Sequence, residues 1–202
     1  MTGTAKSPTN RSTAFWYRRM VWAMLKLKTL KLDDPVHVAR EVAGWSDDGL
    51  NALIDESRRE LDDQKSSLDR ILSRSQFLFS TDIALLAFYG TVAGVIWPDK
   101  SAEWAIWAAR TLIATAGCLL VIALLGSASL IAVRKPFAAI SAVVISSWDN
   151  YELERLANEY TGVLATGDMT VNAHLSVYGS AVRLTVFAAL LAGFGWVVTQ
   201  VF

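Results

Sequence analysis

The sequence has few of the residues from which disulfide scaffolds and metal centres are built. Its 202 residues include one cysteine, Cys118, and only two histidines, His37 and His174. One cysteine excludes an intramolecular disulfide and a cysteine-rich metal cluster. The two histidines are far apart in the chain, and we expect no zinc site from them. No serine lies in a nucleophile elbow, so we predict that the protein is not an enzyme and uses no cofactor.

Net charge is also absent. Nineteen Lys and Arg balance nineteen Asp and Glu, charged residues make up 19% of the chain, and hydrophobic residues make up 53%. An average soluble domain has about 25% charged and about 45–50% apolar residues, so the composition differs from that of an ordinary soluble protein. Because no net positive charge is present, we do not expect a nucleic-acid partner.

The apolar excess is concentrated in three stretches. Residues 77–97 contain one charged residue, Asp82. Residues 111–133 and 184–202 contain none, and a basic pair follows Val133. At about 1.5 Å per residue, each stretch is long enough to cross a hydrocarbon core of about 30 Å. We predict an all-α integral membrane protein with three transmembrane helices, two within residues 77–133 and the third at 184–202.

The basic residues predict the orientation of these spans. Seventeen of the 19 Lys and Arg precede the first span or lie between the second and the third. Loops rich in Lys and Arg stay on the cytoplasmic side. We therefore expect the inner membrane as the location, with the N-terminus and a helical insert, residues 134–183, in the cytoplasm and the C-terminus outside.

The N-terminal segment, residues 1–45, begins with a basic and aromatic stretch. Its first 32 residues include seven bases and no acid. Aromatic and basic residues together are typical of a helix lying on anionic lipid, so the bilayer is an expected partner. A basic helix packed on the acidic stalk that follows is the alternative. The residues expected at the membrane surface are Arg18, Arg19, Lys26, Lys28 and Lys31.

The next segment, residues 46–76, is predicted to be a cytoplasmic helical stalk. Ser46 is a candidate N-cap, and no Pro or Gly occurs between Leu50 and Tyr89, so the stalk should continue unbroken into the first span. Its seam of residues at four-three spacing is heptad-like. We favour packing of this seam on the insert over packing on a neighbouring subunit. The seam comprises Leu50, Ile54, Ser57, Leu61, Gln64, Leu68, Ile71 and Ser75.

The insert supplies the other half of this predicted helical hairpin. Gly167 is expected to end its helix, and Asp168 to cap a last helix that continues into the third span.

Two ionisable residues lie within the predicted spans. Asp82 is about five residues inside the first span, where it could bind a proton or cation, accept a hydrogen bond from a Ser or Thr, or stay hydrated near the interface. Arg110 lies near the outer end of the second span, too far from Asp82 in depth for a direct pair, and we expect it to extend toward the outer surface.

Small residues at four-residue spacing occur in two spans. Gly90 and Gly94 form such a pair in the first span, and Ala189 and Gly193 form another in the third. This spacing lets helix backbones approach closely in lipid. It predicts either packing within the chain or self-association into a homo-oligomer.

The order of these parts resembles a known family. Asp63 and Lys65 precede the first span, the insert includes the run WDNYELERLANEY, and VNAHLSVYGSAVRL leads into the third span. Over about residues 60–202 this layout is similar to the small transmembrane effectors of bacterial Pycsar antiphage systems, and part of it to the SLATT effectors. The resemblance implies a protein that responds to a cyclic nucleotide, oligomerises and disrupts the inner membrane.

Three functions follow as hypotheses. The first is a membrane effector that senses a cytoplasmic signal and self-associates to perturb the bilayer. The second is a structural adaptor that binds a protein partner through its cytoplasmic helices. The third is a small ion channel or transporter that uses Asp82.

Overall fold

The computed structural model of the protein describes residues 13–25, 42, 44–96, 103–133 and 153–201. These residues form four helices and contain no strand, which confirms the all-α prediction for them. The helices are α1 (Thr13–Leu25), α2 (Asp47–Ile96), α3 (Glu103–Ala132) and α4 (Leu153–Val201).

Helix α2 begins where the sequence predicts. The Ser46 hydroxyl accepts a hydrogen bond from the Gly49 N–H at 3.3 Å and caps the helix. Gly44 precedes it with a φ of 83°, a left-handed conformation that favours glycine, and donates its N–H to the Glu154 carboxylate at 3.1 Å. The helix then continues for 50 residues, about 75 Å. The predicted stalk and the first apolar stretch are therefore one unbroken helix.

Helices α2 and α4 lie side by side and run in the same direction. The Arg58 Nε donates to the Tyr160 hydroxyl, 102 residues further along the chain. Much nearer the far end of both helices, the Tyr89 hydroxyl donates to the Ala188 carbonyl, at an offset of 99 residues. Because the offset hardly changes over this length, the two helices form a parallel pair in one register.

The α2 seam provides most of the residues of this contact. Seven of its eight predicted members are buried and Leu61 is half-buried. At its start, Leu50 and Ile54 form a core cluster with Val42, Leu156 and Ala157. Packing on the same chain is thus confirmed from residue 153 onward, while residues 134–152 of the insert lie outside the described residues.

Helix α4 does not end at Gly167, so the predicted break there is wrong. Its 49 residues continue through this position. A Cβ on Gly167 would overlap the side-chain amide of Gln64, which is buried on the α2 seam. Asp168 accepts a hydrogen bond from the Gln64 Nε2 at 2.7 Å instead of capping a new helix. Both residues therefore serve the contact between helices.

Helices α3 and α1 complete the bundle. Helix α3 runs antiparallel to the pair, and with Ala116 and Leu120 it forms a second core cluster with Tyr89, Ala188 and Ala192. A third cluster, nearer the start of α4, brings in α1. It comprises Met20, Leu130, Val133, Ala173 and Val177. Among the described residues α1 contacts α3 and α4 but not α2. The alternative that the basic helix packs on the acidic stalk is therefore wrong for residues 13–25, whereas residues 26–32 lie outside the described residues.

Three of the helices are long and apolar enough to cross a membrane, namely α2, α3 and α4. In their most apolar windows no more than 33% of the residues are buried within the chain. Large apolar side chains are exposed on these helices, among them Phe88, Phe187 and Phe194. Exposed apolar surface of this extent is typical of a surface that meets lipid or a protein partner.

The contact at Gly167 can be tested with a matched pair of variants. Glycine to alanine inside a helix usually stabilises by about 1 kcal/mol, and we expect this for Gly179→Ala, where a Cβ meets no atom of the described residues within 4 Å. Gly167→Ala displaces Gln64 from its bonds to Leu164 and Asp168 and should be about 1–3 kcal/mol less stable than Gly179→Ala. Thermal unfolding in detergent micelles measures both, and equal stabilities would contradict the assignment.

Candidate functional site

Asp82 lies on the α2 seam where this continues beyond Ser75. The four-three spacing leads from Ser75 to Leu78 and then to Asp82, and all three are buried. The carboxylate side chain has an exposed fraction of 0%. It is located between the apolar cluster around Met20 and the apolar cluster around Tyr89. Asp82 is therefore the one buried acidic residue in the described part of the chain, and apolar clusters lie on both sides of it.

Two hydroxyl groups from two other helices bind this carboxylate. Thr185 of α4 donates to its Oδ1 at 2.7 Å, and Ser127 of α3 donates to its Oδ2 at 3.4 Å. A buried polar group without such partners is costly, by about 1–3 kcal/mol for each lost hydrogen bond. Asp82 thus joins α2, α3 and α4 in one polar layer. We call Asp82, Ser127 and Thr185 the polar layer.

Each hydroxyl of the polar layer has a second acceptor on its own helix. The Thr185 hydroxyl lies 3.0 Å from the Ala181 carbonyl, and the Ser127 hydroxyl lies 3.1 Å from the Leu124 carbonyl. A hydroxyl has one proton to donate and two lone pairs to accept. A proton on Asp82 could therefore be donated to Thr185 while Thr185 bonds Ala181, so the arrangement can hold the carboxyl group in either protonation state.

Helix α1 brings a tyrosine to the same region. The Tyr17 hydroxyl donates to the Ile122 carbonyl of α3, and its ring covers Gly126, next to Ser127. Burial, with a smaller contribution from the charge of Asp82, raises the pKa of Tyr17 to about 12. The phenol therefore holds its proton more firmly than an exposed tyrosine does, and it is the donor in the bond to Ile122.

The second predicted intramembrane charge lies elsewhere. The Arg110 guanidinium is 5.9 Å from the centroid of the Trp107 ring, a cation–π distance. Along α3, Arg110 is 17 residues from Ser127 and therefore about 25 Å from the polar layer. An ion pair between Arg110 and Asp82 is excluded by this distance. Trp104 and Trp107 are exposed on the same end of α3.

The small-residue pairs do not pack within the chain, so that alternative is wrong for the three described members. Among the described residues, no atom outside the local helix backbone lies within 4 Å of a Cβ built on Gly90 or Gly193, and Ala189 is exposed. Which way Gly94 faces lies outside what the structure describes. Close approaches between helices occur instead at Gly126, beneath Tyr17, and at Gly195, which faces Ile113 and Ala109.

Two of the basic residues expected at the membrane surface are described. Arg18 is exposed, and the Arg19 guanidinium lies 5.7 Å from the Phe15 ring centroid and 5.9 Å from that of Trp16. Lys26, Lys28 and Lys31 lie outside the described residues. No group of three His, Cys, Asp or Glu that could hold a metal occurs in the described part of the chain.

Sequence reasoning singled out Asp82 but missed its partners. The four-three spacing of the seam continues from Ser75 to Leu78 and Asp82, so the sequence contains the pattern that places Asp82 inside the bundle. Ser127, Thr185 and Tyr17 carry no local signal, since each is one of many hydroxyl-bearing residues in apolar or aromatic stretches. Comparisons of the chain with family models, with curated proteins and with solved structures found no match.

The polar layer predicts unequal effects for two equivalent substitutions. Thr185→Val keeps the side-chain shape but removes a buried donor to Asp82, and we expect a loss of about 1–3 kcal/mol in the free energy of unfolding. Thr115→Val removes an exposed hydroxyl whose hydrogen bond, at 2.7 Å, goes to its own helix. This substitution should change the free energy of unfolding by less than about 0.5 kcal/mol. Unfolding in detergent by denaturant measures the difference, and equal losses would contradict a structural role for the layer.

Proposed function

We propose that this chain is an integral protein of the bacterial inner membrane, with its N-terminus in the cytoplasm and its C-terminus outside. The outward-facing apolar surfaces of α2, α3 and α4 support insertion. The orientation is supported by the positions of Lys and Arg, which are concentrated before the apolar part of α2 and between α3 and the apolar part of α4. The acidic half of α2 then extends into the cytoplasm.

In this membrane the protein acts as an effector that senses a cytoplasmic signal and self-associates to perturb the bilayer. One observation carries this proposal. The small residues Gly90, Ala189 and Gly193 face away from the described part of the chain's own bundle, so this surface is open to lipid or to another copy. In lipid, such faces favour association because they let backbones approach closely. The resemblance noted above suggests a cyclic nucleotide as the signal.

The continuity of α2 and α4 suggests how a signal reaches the membrane. Neither helix has a break between its polar end and its apolar end, so a displacement at one end is carried along the helix to the other. An adaptor function has less support, because the α2 seam already packs on α4 and a partner would have to use the remaining polar face of α2.

The self-association is tested by enlarging the small residues. Gly90→Leu combined with Gly193→Leu places bulky side chains on both outward faces, and we expect the detergent-solubilised protein to change from oligomer to monomer. Gly117→Leu is the control. A Cβ there also meets no atom within 4 Å in the described part of the chain, but Gly117 lies on α3, away from the two small-residue pairs. Native mass spectrometry counts the subunits. Monomeric wild-type protein, with and without cyclic nucleotides, would contradict the proposed self-association.

The effector activity is tested in bacterial cells. Induced expression of the wild type and of Gly117→Leu should dissipate the membrane potential reported by a dye and arrest growth, whereas the double leucine variant should do neither. Unchanged potential and growth on wild-type expression, with and without cyclic nucleotides, would contradict an effector function.

The buried Asp82 favours a second candidate function, a small ion channel or transporter. Its carboxyl group is held by hydroxyls from two other helices and can be charged or neutral there. Intramembrane acids mark ion and proton pathways. We expect Asp82→Asn, which keeps the size and one acceptor oxygen, to abolish proton or cation flux into proteoliposomes. Asp62→Asn, at an exposed position of α2, should leave the flux unchanged. A flux indifferent to Asp82→Asn would remove this candidate.

A further inference from the structure

A groove of about 870 Å³ lies between α1 on one side and α3 and α4 on the other. Its size is in the range of about 300–1,000 Å³ that is usual for small-molecule sites. The groove exists because α1 is docked on the bundle through Met20 and Tyr17, which leaves the neighbouring face of α1 opposite Ile122 and Leu184.

Two arginines from different helices line this groove. Arg18 comes from α1 and Arg183 from α4, and no acidic residue is among the described residues that line it. Both guanidinium groups are on exposed residues, so they can bind a ligand at the surface of the bundle. Two cations that line one groove without a carboxylate among its described lining residues favour an anion, and guanidinium groups bind phosphate oxygens by charge-assisted hydrogen bonds.

The remaining walls of the groove are apolar. Trp22 of α1, Ile122 and Leu125 of α3, and Leu184 of α4 line it. Leu184 is the first residue of the uncharged stretch that ends the chain, and Arg183 is the last base before it. Arg183 is thus placed where the polar part of α4 meets its apolar part, which in an inserted protein is the depth of lipid phosphates at a membrane surface.

We propose that this groove is a binding site for one anionic phospholipid. Arg18 and Arg183 bind the phosphate, and Ile122, Leu125 and Leu184 contact an acyl chain, with Trp22 at the rim. A zwitterionic lipid has the same phosphate, but its ammonium group would be repelled by the two guanidinium groups. The site therefore selects phosphatidylglycerol-type headgroups over choline headgroups. It requires insertion in a bilayer but not self-association.

Native mass spectrometry of the full chain in detergent tests this site, with phosphatidylglycerol and phosphatidylcholine as added probes. We expect one phosphatidylglycerol to bind each chain about tenfold more tightly than phosphatidylcholine. Arg18→Gln or Arg183→Gln should weaken this binding by about tenfold each, about 1.4 kcal/mol, because each substitution removes one guanidinium group from the phosphate. The same spectra count subunits, so a loss of lipid binding is distinguished from a loss of self-association.

Two variants with the same charge change are the controls. Arg19→Gln removes a base from α1 next to Arg18, and Arg74→Gln removes one from α2 just before its apolar stretch, and neither residue lines the groove. Both should retain phosphatidylglycerol. Equal weakening by all four substitutions would show general attraction to the membrane surface and overturn the site.

A further variant separates shape from charge. Ser180→Phe fills the groove from α4 and leaves both arginines in place, so it should also displace the lipid. Retained binding in a Ser180→Phe protein of native helix content would place the lipid elsewhere and contradict the proposal. Inorganic phosphate or a cyclic nucleotide that displaces phosphatidylglycerol at equal concentration would show a site for soluble phosphates, in which the apolar walls play no part, and would overturn it as well.

Discussion

The parallel register of α2 and α4 is the constraint on which the rest of the structure depends. It is established where Gly44 bonds Glu154 and Leu50 packs near Leu156, and the two helices continue from there without a break. Because a continuous helix has a fixed rise, each later contact follows from the first ones. The same register that pairs Gln64 with Asp168 brings Asp82 to Thr185. Helix α3 fills the remaining side by returning antiparallel to both.

The polar residues of the seam select this register over its neighbours. A purely apolar heptad pattern would accept a slip of seven residues, because every apolar position would again meet an apolar position. After such a slip Asp82 would face Ala192 or Tyr178 in place of Thr185, and the side chain of Gln64 would meet His174 or Tyr160 where it now meets Gly167. Ala192 offers Asp82 no hydrogen-bond donor, and a side chain at the place of Gly167 would crowd Gln64, so a slip in either direction is unfavourable. Buried polar positions are known to fix register in this way, at a cost in stability.

Much of the fold could be predicted because its signals are local. The cap at Ser46, the absence of Gly and Pro after Leu50 and the four-three seam each depend on neighbours in the sequence, and the structure confirms them. The errors have the opposite cause. Gly167 and Asp168 look like a helix end and a cap, but they serve contacts with Gln64, more than 100 residues away, and no local pattern reveals that. Spacing likewise shows that small residues share a face without showing which face the bundle covers, as the exposed Gly90 and Gly193 and the buried Gly195 demonstrate.

Helix α1 connects the groove with the polar layer through one side chain. Tyr17 lines the groove on one side, and on the other it packs on Gly126, the residue before Ser127. The charge of Asp82 contributes to the raised pKa of Tyr17, so the tyrosine and the polar layer are electrostatically linked. The groove and the polar layer therefore share one wall, the contact between Tyr17 and Gly126. The docking of α1 is in this way part of the surroundings of Asp82, and the same helix bears Arg18, one of the two arginines that line the groove.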